Sequence, residues 1–253
     1  MIVRFLLCEV DDDFLTANLR TRLTALRKPG GKIRPIACGS VLRRLAAKTA
    51  CRVYREEVRA ACGSHQYAVG RKAGCEKVHK TITALSSADP ARVFLAFDAK
   101  NAFNSMPRDT VLKGVGRRLP DLARVVNGWL CRRTTHLYWE KASGSGVPIR
   151  ATCGVDQGCP LSPALFAIGI ADTLSIIHRR LRTLNANDQV FSYLDDLIVA
   201  VSSDHAEAAM NIVLEELQIA GLVMEASKTT AWTRDPAAPL PASLVNFRTP
   251  RFK

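Results

Sequence analysis

Two adjacent carboxylates, Asp195 and Asp196, interrupt an otherwise apolar, strand-favouring run from Phe191 to Val201. Holding two like charges side by side away from water is costly unless a cation lies between them. A solvated β-turn is the plain alternative, because Asp is a common turn residue. A third acid, Asp98, closes a second apolar run that begins at Arg92 and reads as a buried strand. Such a strand carries its last side chain out of the apolar layer. If the two strands share a sheet, three carboxylates meet in one place, which is what a pair of divalent cations requires. In nucleotidyl transfer one ion lowers the pKa of the attacking hydroxyl, and the other neutralises the triphosphate and its leaving group. Oxygen ligands and phosphate partners suit Mg2+ better than zinc or copper.

The remaining composition bounds what such a site would act on. The 253 residues carry a formal net charge of +13, most of it within the first 80 residues. That length fits one large domain or two small ones, and the basic excess favours a polyanionic partner. Eight cysteines without a CxxC pair read as reduced thiols of a nuclear or cytoplasmic protein rather than a disulfide framework. Cys62, His65, Cys75 and His79 have a spacing that can ligate zinc, set against independent buried thiols and surface imidazoles. No apolar run has the length of a membrane span, and the opening Phe5-Leu6-Leu7 is too short for a signal segment.

The elements that must position these residues follow from periodicity. Residues 1–28 read as helical, with leucines at 15, 19, 23 and 26 on one face, and Pro29-Gly30-Gly31 ends that pattern. Lys32 to Ile36 is a short extended segment. Ser40 caps an expected helix over 41–61, with Leu42, Leu45, Ala46, Thr49 and Val53 on one face. Arg44, Lys48, Arg52, Arg55 and Arg59 share another face and suit phosphate-backbone contact, the alternative being a solvated face. Gln66 to Lys72 is a basic loop and 73–88 a helix. Asp98 is followed by Phe103 and a short helix with Pro107 in its first turn. Residues 117–150 are less regular. Gly154 to Pro163 is a glycine-proline turn leading into an apolar helix to about Leu181, with Ser162 at its N-cap. Asp204 and Glu207 are spaced as a capping box, and Gly221 stops that helix. A short extended piece carrying Lys228 precedes the linker-like 235–241. Strands interleaved with helices, with acids at strand ends and a hairpin tip, make an α+β sheet backed by helices.

Five segments carry a resemblance: Lys32 to Ile36, Phe97 to Phe103, Gln157 to Pro163, Tyr193 to Asp196, and Gly221 to Lys228. Their order and spacing resemble reverse transcriptases over roughly residues 30–232. The Gln-Gly-x-Pro-Leu-Ser-Pro turn resembles non-LTR retrotransposons, including site-specific elements, and group II intron proteins. The resemblance implies a right-hand polymerase with fingers about 1–92 and 117–150, and palm about 93–116 and 151–232. A Pro-rich tail follows over 233–253. It further implies RNA-directed DNA polymerisation with two Mg2+ ions (Mn2+ as an alternative), dNTPs, an RNA template and a DNA primer. Asp98 and Asp195 would be the principal metal ligands, with Asp196 as third carboxylate and the backbone carbonyl of Ala99 as a further ligand. Phe103 would lie under the incoming sugar and exclude a 2′-hydroxyl, or else be a core phenylalanine. Gln157 would contact the nucleotide near its ribose, and Arg34 with Lys32 would grip the triphosphate. Lys228 would protonate the pyrophosphate leaving group or be a surface lysine.

Two departures from the pattern matter. Leu194 stands where relatives of this group usually carry Ala. No primer-gripping hairpin or helical thumb is legible after residue 232, so the chain reads as part of a larger element-encoded protein or as a truncated copy. The competing expectations are therefore a non-catalytic remnant that at most binds RNA, and an RNA-dependent RNA polymerase, against which the aromatic Phe103 argues.

Overall fold

The computed structural model describes residues 1–132, 134–140 and 144–252. In chain order these form α1 (Ile2–Leu6), α2 (Asp12–Leu19), β1 (Thr21–Arg27), β2 (Ile33–Gly39), α3 (Val41–Val53), α4 (Arg55–Ala61), α5 (Gly74–Ala88), β3 (Val93–Asp98), α6 (Ala102–Ser105), α7 (Arg108–Arg118) and α8 (Pro120–Leu130). There follow β4 (Thr134–Glu140), β5 (Ser145–Ala151), α9 (Ser162–Gly169), α10 (Ala171–Leu184), β6 (Gln189–Tyr193), β7 (Asp196–Val201), α11 (Ala206–Ile219) and β8 (Thr230–Trp232). The chain divides into two compact units, Met1–Ala61 with Phe103–Gly169, and Cys62–Ala102 with Ile170–Lys253.

The first unit is built on a four-stranded sheet ordered β2-β1-β4-β5. The expected helix over 1–28 gives way after Leu19. Thr21 to Arg27 is a strand whose every residue pairs with β2, from Thr21 opposite Gly39 to Arg27 opposite Ile33. The helical spacing of Leu23 and Leu26 yields here to a continuous backbone ladder, and Leu26 stays exposed. Gly30 and Gly31, both with positive φ, turn the chain between β1 and β2. The helix expected over 41–61 is interrupted at Tyr54. Its buried face is Arg43, Ala46, Ala47 and Ala50, whereas Leu45 and Val53 are exposed. The less regular stretch contains α8, whose Leu122, Val125, Val126 and Trp129 are buried, and the β4–β5 hairpin. The apolar helix expected to about Leu181 is divided at Ile170 into α9 and α10.

The second unit is built on an antiparallel sheet ordered β6-β7-β3-β8. Central β3 has strands on both edges, and its Val93, Phe94 and Leu95 side chains are fully buried. Val78 and Ile82 of α5 pack with Phe94, Phe191 and Ala200. Helix α10 packs against α11 and β6, and α11 reaches β3 and β7. The expected capping box does not form. Asp204 lies in a 3-10 turn, α11 starts after His205, and no side chain caps it. Residues 235–252 are docked rather than linker-like. The Asp235 amide donates to the Pro90 carbonyl, the Thr249 amide donates to the Ala231 carbonyl, and Leu244 is fully buried. Phe252 completes an aromatic cluster with Phe94 and Trp232.

Candidate active site

Strand register brings the acids together within the second unit. Asp98, the last residue of β3, lies opposite Asp196, the first residue of β7. Asp196 also pairs with Tyr193, so Leu194 and Asp195 are the two residues of a tight hairpin turn. Leu194 adopts a left-handed backbone, φ 57°, which is uncommon for a bulky L-residue and costs roughly 1 kcal/mol or more. The three carboxylates interact. The Asp196 carboxyl is pushed above the usual carboxylate range, first by partial desolvation, then by Asp195 and by Asp98, with Lys228 opposing.

Beside Asp98 runs the segment 223–228. The Glu225 amide donates to the Asp98 carbonyl and the Lys100 amide to the Val223 carbonyl, forming an isolated bridge between Ala99 and Met224. This pairing does not use the Ala99 carbonyl. It places Lys228, at the end of a 3-10 turn, with its ammonium 2.9 Å from both Asp98 carboxylate oxygens. A cavity of about 650 Å3 opens beside these groups, lined by His79 and Ile82 from α5 and by Asp98, Asp196, Lys228 and Trp232.

Oxygen donors of like charge, with Asp196 disfavoured as an anion by burial and by the other two and with Asp98 already drawing one cation, fit a hard divalent cation. Asp98, Asp195, Asp196 and the Ala99 carbonyl are the groups available to hold it. Among the described residues no three His, Cys, Asp or Glu side chains are drawn into a preformed metal cage. The zinc spacing is therefore not assembled either: Cys62 is buried, Cys75 is exposed, and the His65 ring lies 4.3 Å from that of His178.

The other expected site residues lie in the first unit and are linked through backbone. Arg34 and Lys32 are exposed at the β1–β2 hairpin. Three residues beyond Arg34, the Ala37 amide donates to the Gln157 carbonyl at 2.7 Å. Gly158 (φ 123°) permits that approach, since a Cβ there would come within 2.8 Å of the Ala37 carbonyl oxygen. The Val155 amide in turn donates to the Phe103 carbonyl, and the Phe103 ring is stacked on Phe166 at 4.7 Å. Arg44, Lys48 and Arg52 are exposed on α3, with Arg55 and Arg59 exposed on α4. Both α4 arginines pair with Glu56, at 3.9 and 3.2 Å.

Sequence reasoning missed the support behind Gln157. Asp156 accepts from buried Arg43 at 2.7 Å, and His136 lies 3.7 Å away on its other side. Arg43 also donates to the Leu19 carbonyl. The signal available was the placement of Arg43 off the cationic stripe, on the alanine face of its helix.

A family model described as reverse transcriptase (RNA-dependent DNA polymerase) matches residues 26–246. The chain belongs to the reverse transcriptase family. It is 30% identical over 227 residues to the retrotransposable element SLACS 132 kDa protein of Trypanosoma brucei gambiense, covering 83% of this chain and 17% of that one. The chain thus spans about a sixth of the length of that curated relative. Among solved structures it is similar to apo telomerase from Candida tropicalis truncated from its C-terminal domain, with a TM-score of 0.65, 13% identity, and coverage of 85% of this chain and 50% of that one. Telomerase from Candida albicans in complex with a fragment of telomeric RNA gives 0.65, 10% identity, and coverage of 84% and 42%. These likenesses establish the fold of a reverse transcriptase, and the family uses divalent metal ions.

Proposed function

We propose that this chain is the fingers and palm portion of a retrotransposon-encoded, RNA-directed DNA polymerase that adds deoxynucleotides to a DNA primer on an RNA template. The observation that carries the reading is the pairing of Asp98 with Asp196 across β3 and β7, with Asp195 in the adjoining turn and a cationic group already on Asp98. Asp98, Asp195, Asp196 and the Ala99 carbonyl would hold two Mg2+ ions, whose chemistry there would be to lower the pKa of the primer 3′-hydroxyl and to neutralise charge on the triphosphate. Lys228 exchanges Asp98 for the leaving pyrophosphate and donates a proton to it. In the first unit Lys32 and Arg34 grip the triphosphate, Gln157 contacts the nucleotide near its ribose, and the Phe103 ring excludes a 2′-hydroxyl. Arg44, Lys48, Arg52, Arg55 and Arg59 hold the nucleic-acid backbone. The larger protein to which such a segment belongs acts in the nucleus or cytoplasm. Among the described residues no helix is long and apolar enough to cross a membrane.

The test is primer extension on poly(rA)/oligo(dT) with Mg2+, comparing the chain with Asp195→Asn. Extension abolished by the substitution is expected. No extension by well-folded protein would favour a non-catalytic remnant that at most binds RNA, and extension untouched by the substitution would remove Asp195 from the site.

A further inference from the structure

The turn of the hairpin that carries Asp195 is bonded from outside the hairpin, by a residue 128 positions before Leu194, Gln66, which is completely buried. The segment from His65 to Tyr67 lies parallel to β6. The Ser192 amide donates to the His65 carbonyl, and the Tyr67 amide donates to the Ser192 carbonyl, each at 2.8 Å. Between these two bonds the Gln66 side chain passes into the hairpin. Its Oε1 accepts from the Leu194 amide at 2.9 Å and from the Ala68 amide at 3.1 Å. Its Nε2 donates to the Ser192 hydroxyl at 3.0 Å, and that hydroxyl donates to the Leu194 carbonyl at 2.8 Å.

The direction of every bond is fixed. Backbone N–H groups only donate, so the amide atom facing Leu194 and Ala68 must be the oxygen. The Ser192 hydroxyl spends its proton on the Leu194 carbonyl and therefore receives one from Nε2. Leu194 is consequently held at both its amide and its carbonyl, and it is the residue in the left-handed conformation immediately before Asp195. A bulky residue keeps such a backbone only where the surroundings over-determine it. Glutamate at 66 would turn the donor facing Ser192 into an acceptor and bury a charge, whereas methionine keeps the length and removes all three bonds.

We propose that Gln66 is a positioning residue for metal binding. Through the Ser192 hydroxyl and both backbone groups of Leu194 it sets the direction in which the hairpin presents Asp195. This rests on the reading of Asp98, Asp195 and Asp196 as the metal ligands. A residue that merely fills space there would affect melting temperature alone.

The experiment uses the full chain and Mn2+ as the probe. Mn2+ affinity is measured by electron paramagnetic resonance for the wild type, Gln66→Met, Ser192→Ala, Ser192→Thr and Asp195→Asn. Exchange of the Leu194 amide proton is followed in the same proteins, with circular dichroism and melting to establish folding. Gln66→Met is expected to stay folded, to bind Mn2+ about tenfold more weakly, as loss of a ligand's supporting bond does, and to exchange the Leu194 amide faster. Ser192→Ala falls between it and the wild type, and Ser192→Thr, which keeps the hydroxyl, behaves like the wild type. If Gln66→Met fails to fold, the Ser192 pair decides: equal affinity for Ala and Thr overturns the inference. So does wild-type affinity in folded Gln66→Met, whatever its exchange rate. Equal binding by the wild type and Asp195→Asn would overturn the metal reading itself, a result distinguishable because it does not involve Gln66.

Discussion

The Lys228 ammonium lies 2.9 Å from both carboxylate oxygens of Asp98, where a divalent cation would compete for the same lone pairs. The two side chains remain 43% and 37% exposed, so solvent screens the pair and its contribution to stability is about 1 kcal/mol or less. Its consequence lies in competition. Lys228→Ala is expected to change the melting temperature little and to tighten Mn2+ binding by roughly twofold to fivefold, the factor equivalent to an exposed ion pair. The Asp196 carboxyl, which Lys228 pulls down against the upward push of desolvation, Asp195 and Asp98, should titrate higher still in that variant. Turnover in primer extension should fall even though the ion binds more tightly. Equal losses of metal affinity and turnover would instead mean that Lys228 orders the acids rather than acting on the leaving group.

A second expectation concerns acid. Burial first, and then the neighbouring His178, push His65 down to about 4. His178 is also lowered, mainly by burial. A histidine with a depressed folded pKa binds fewer protons than the unfolded chain between the two values, so stability rises with pH across that window. The stabilisation of neutral His65 is complete above pH 6.5, the unfolded value, and is lost as pH falls toward 4, amounting to at most about 3 kcal/mol. Because the His65 carbonyl accepts from the Ser192 amide, the loss is expected at the hairpin. Melting followed from pH 7 to pH 4 should show the fall in the wild type and a flatter profile in His65→Asn. A wild-type profile flat between pH 6.5 and 4 would show that the ring is not held neutral.

The Phe103–Phe166 stack allows the two readings of Phe103 to be separated. Removing the ring in Phe103→Ala loses partly buried aromatic packing and is expected to cost about 1–3 kcal/mol. If the ring also stands against the sugar, the same change should raise ribonucleotide incorporation relative to deoxynucleotide by about tenfold or more, equivalent to roughly 1.4 kcal/mol of lost discrimination. The measurement is single-nucleotide extension with rNTP and dNTP in parallel. A destabilised variant with unchanged discrimination would return Phe103 to the core.

What could be seen in advance depended on how local the cause was. The acids were legible because β3 and the β6–β7 hairpin are short apolar runs whose ends expose their last residue, a property of neighbouring residues alone. The strand at 21–27 was hidden, since its leucines have helical spacing and its partner β2 is what makes it a strand. Gln66 was hidden for a stronger reason: its bonds run to Ser192 and Leu194, and nothing within its own loop distinguishes it from a solvated polar residue. Arg43 lies on the same basic helix but off the cationic stripe. Its burial follows from Asp156 and the Leu19 carbonyl, neither adjacent to it in the chain. Residues 235–241 read as a linker by composition, and they and the residues that follow become ordered through backbone bonds to Pro90 and Ala231.

The cationic stripe, finally, is not uniform, and this changes what its removal should do. Arg55 and Arg59 share Glu56, which offsets part of their charge toward an outside phosphate. Arg44, Lys48 and Arg52 project from one face of α3 at four-residue spacing, exposed and, among the described residues, with no carboxylate within ion-pair distance. Each phosphate neutralised releases counterions, so the slope of log affinity against log salt counts such contacts. Replacing Arg44, Lys48 and Arg52 together with Ala should reduce the slope by about 2 to 3 units in filter binding to an RNA–DNA hybrid. Replacing Arg55 and Arg59 should reduce it by less than 2 units, because Glu56 is freed at the same time to repel the backbone. An unchanged slope in the triple variant would make this face a solvated surface, and a larger effect from the α4 pair would move the contact to that helix.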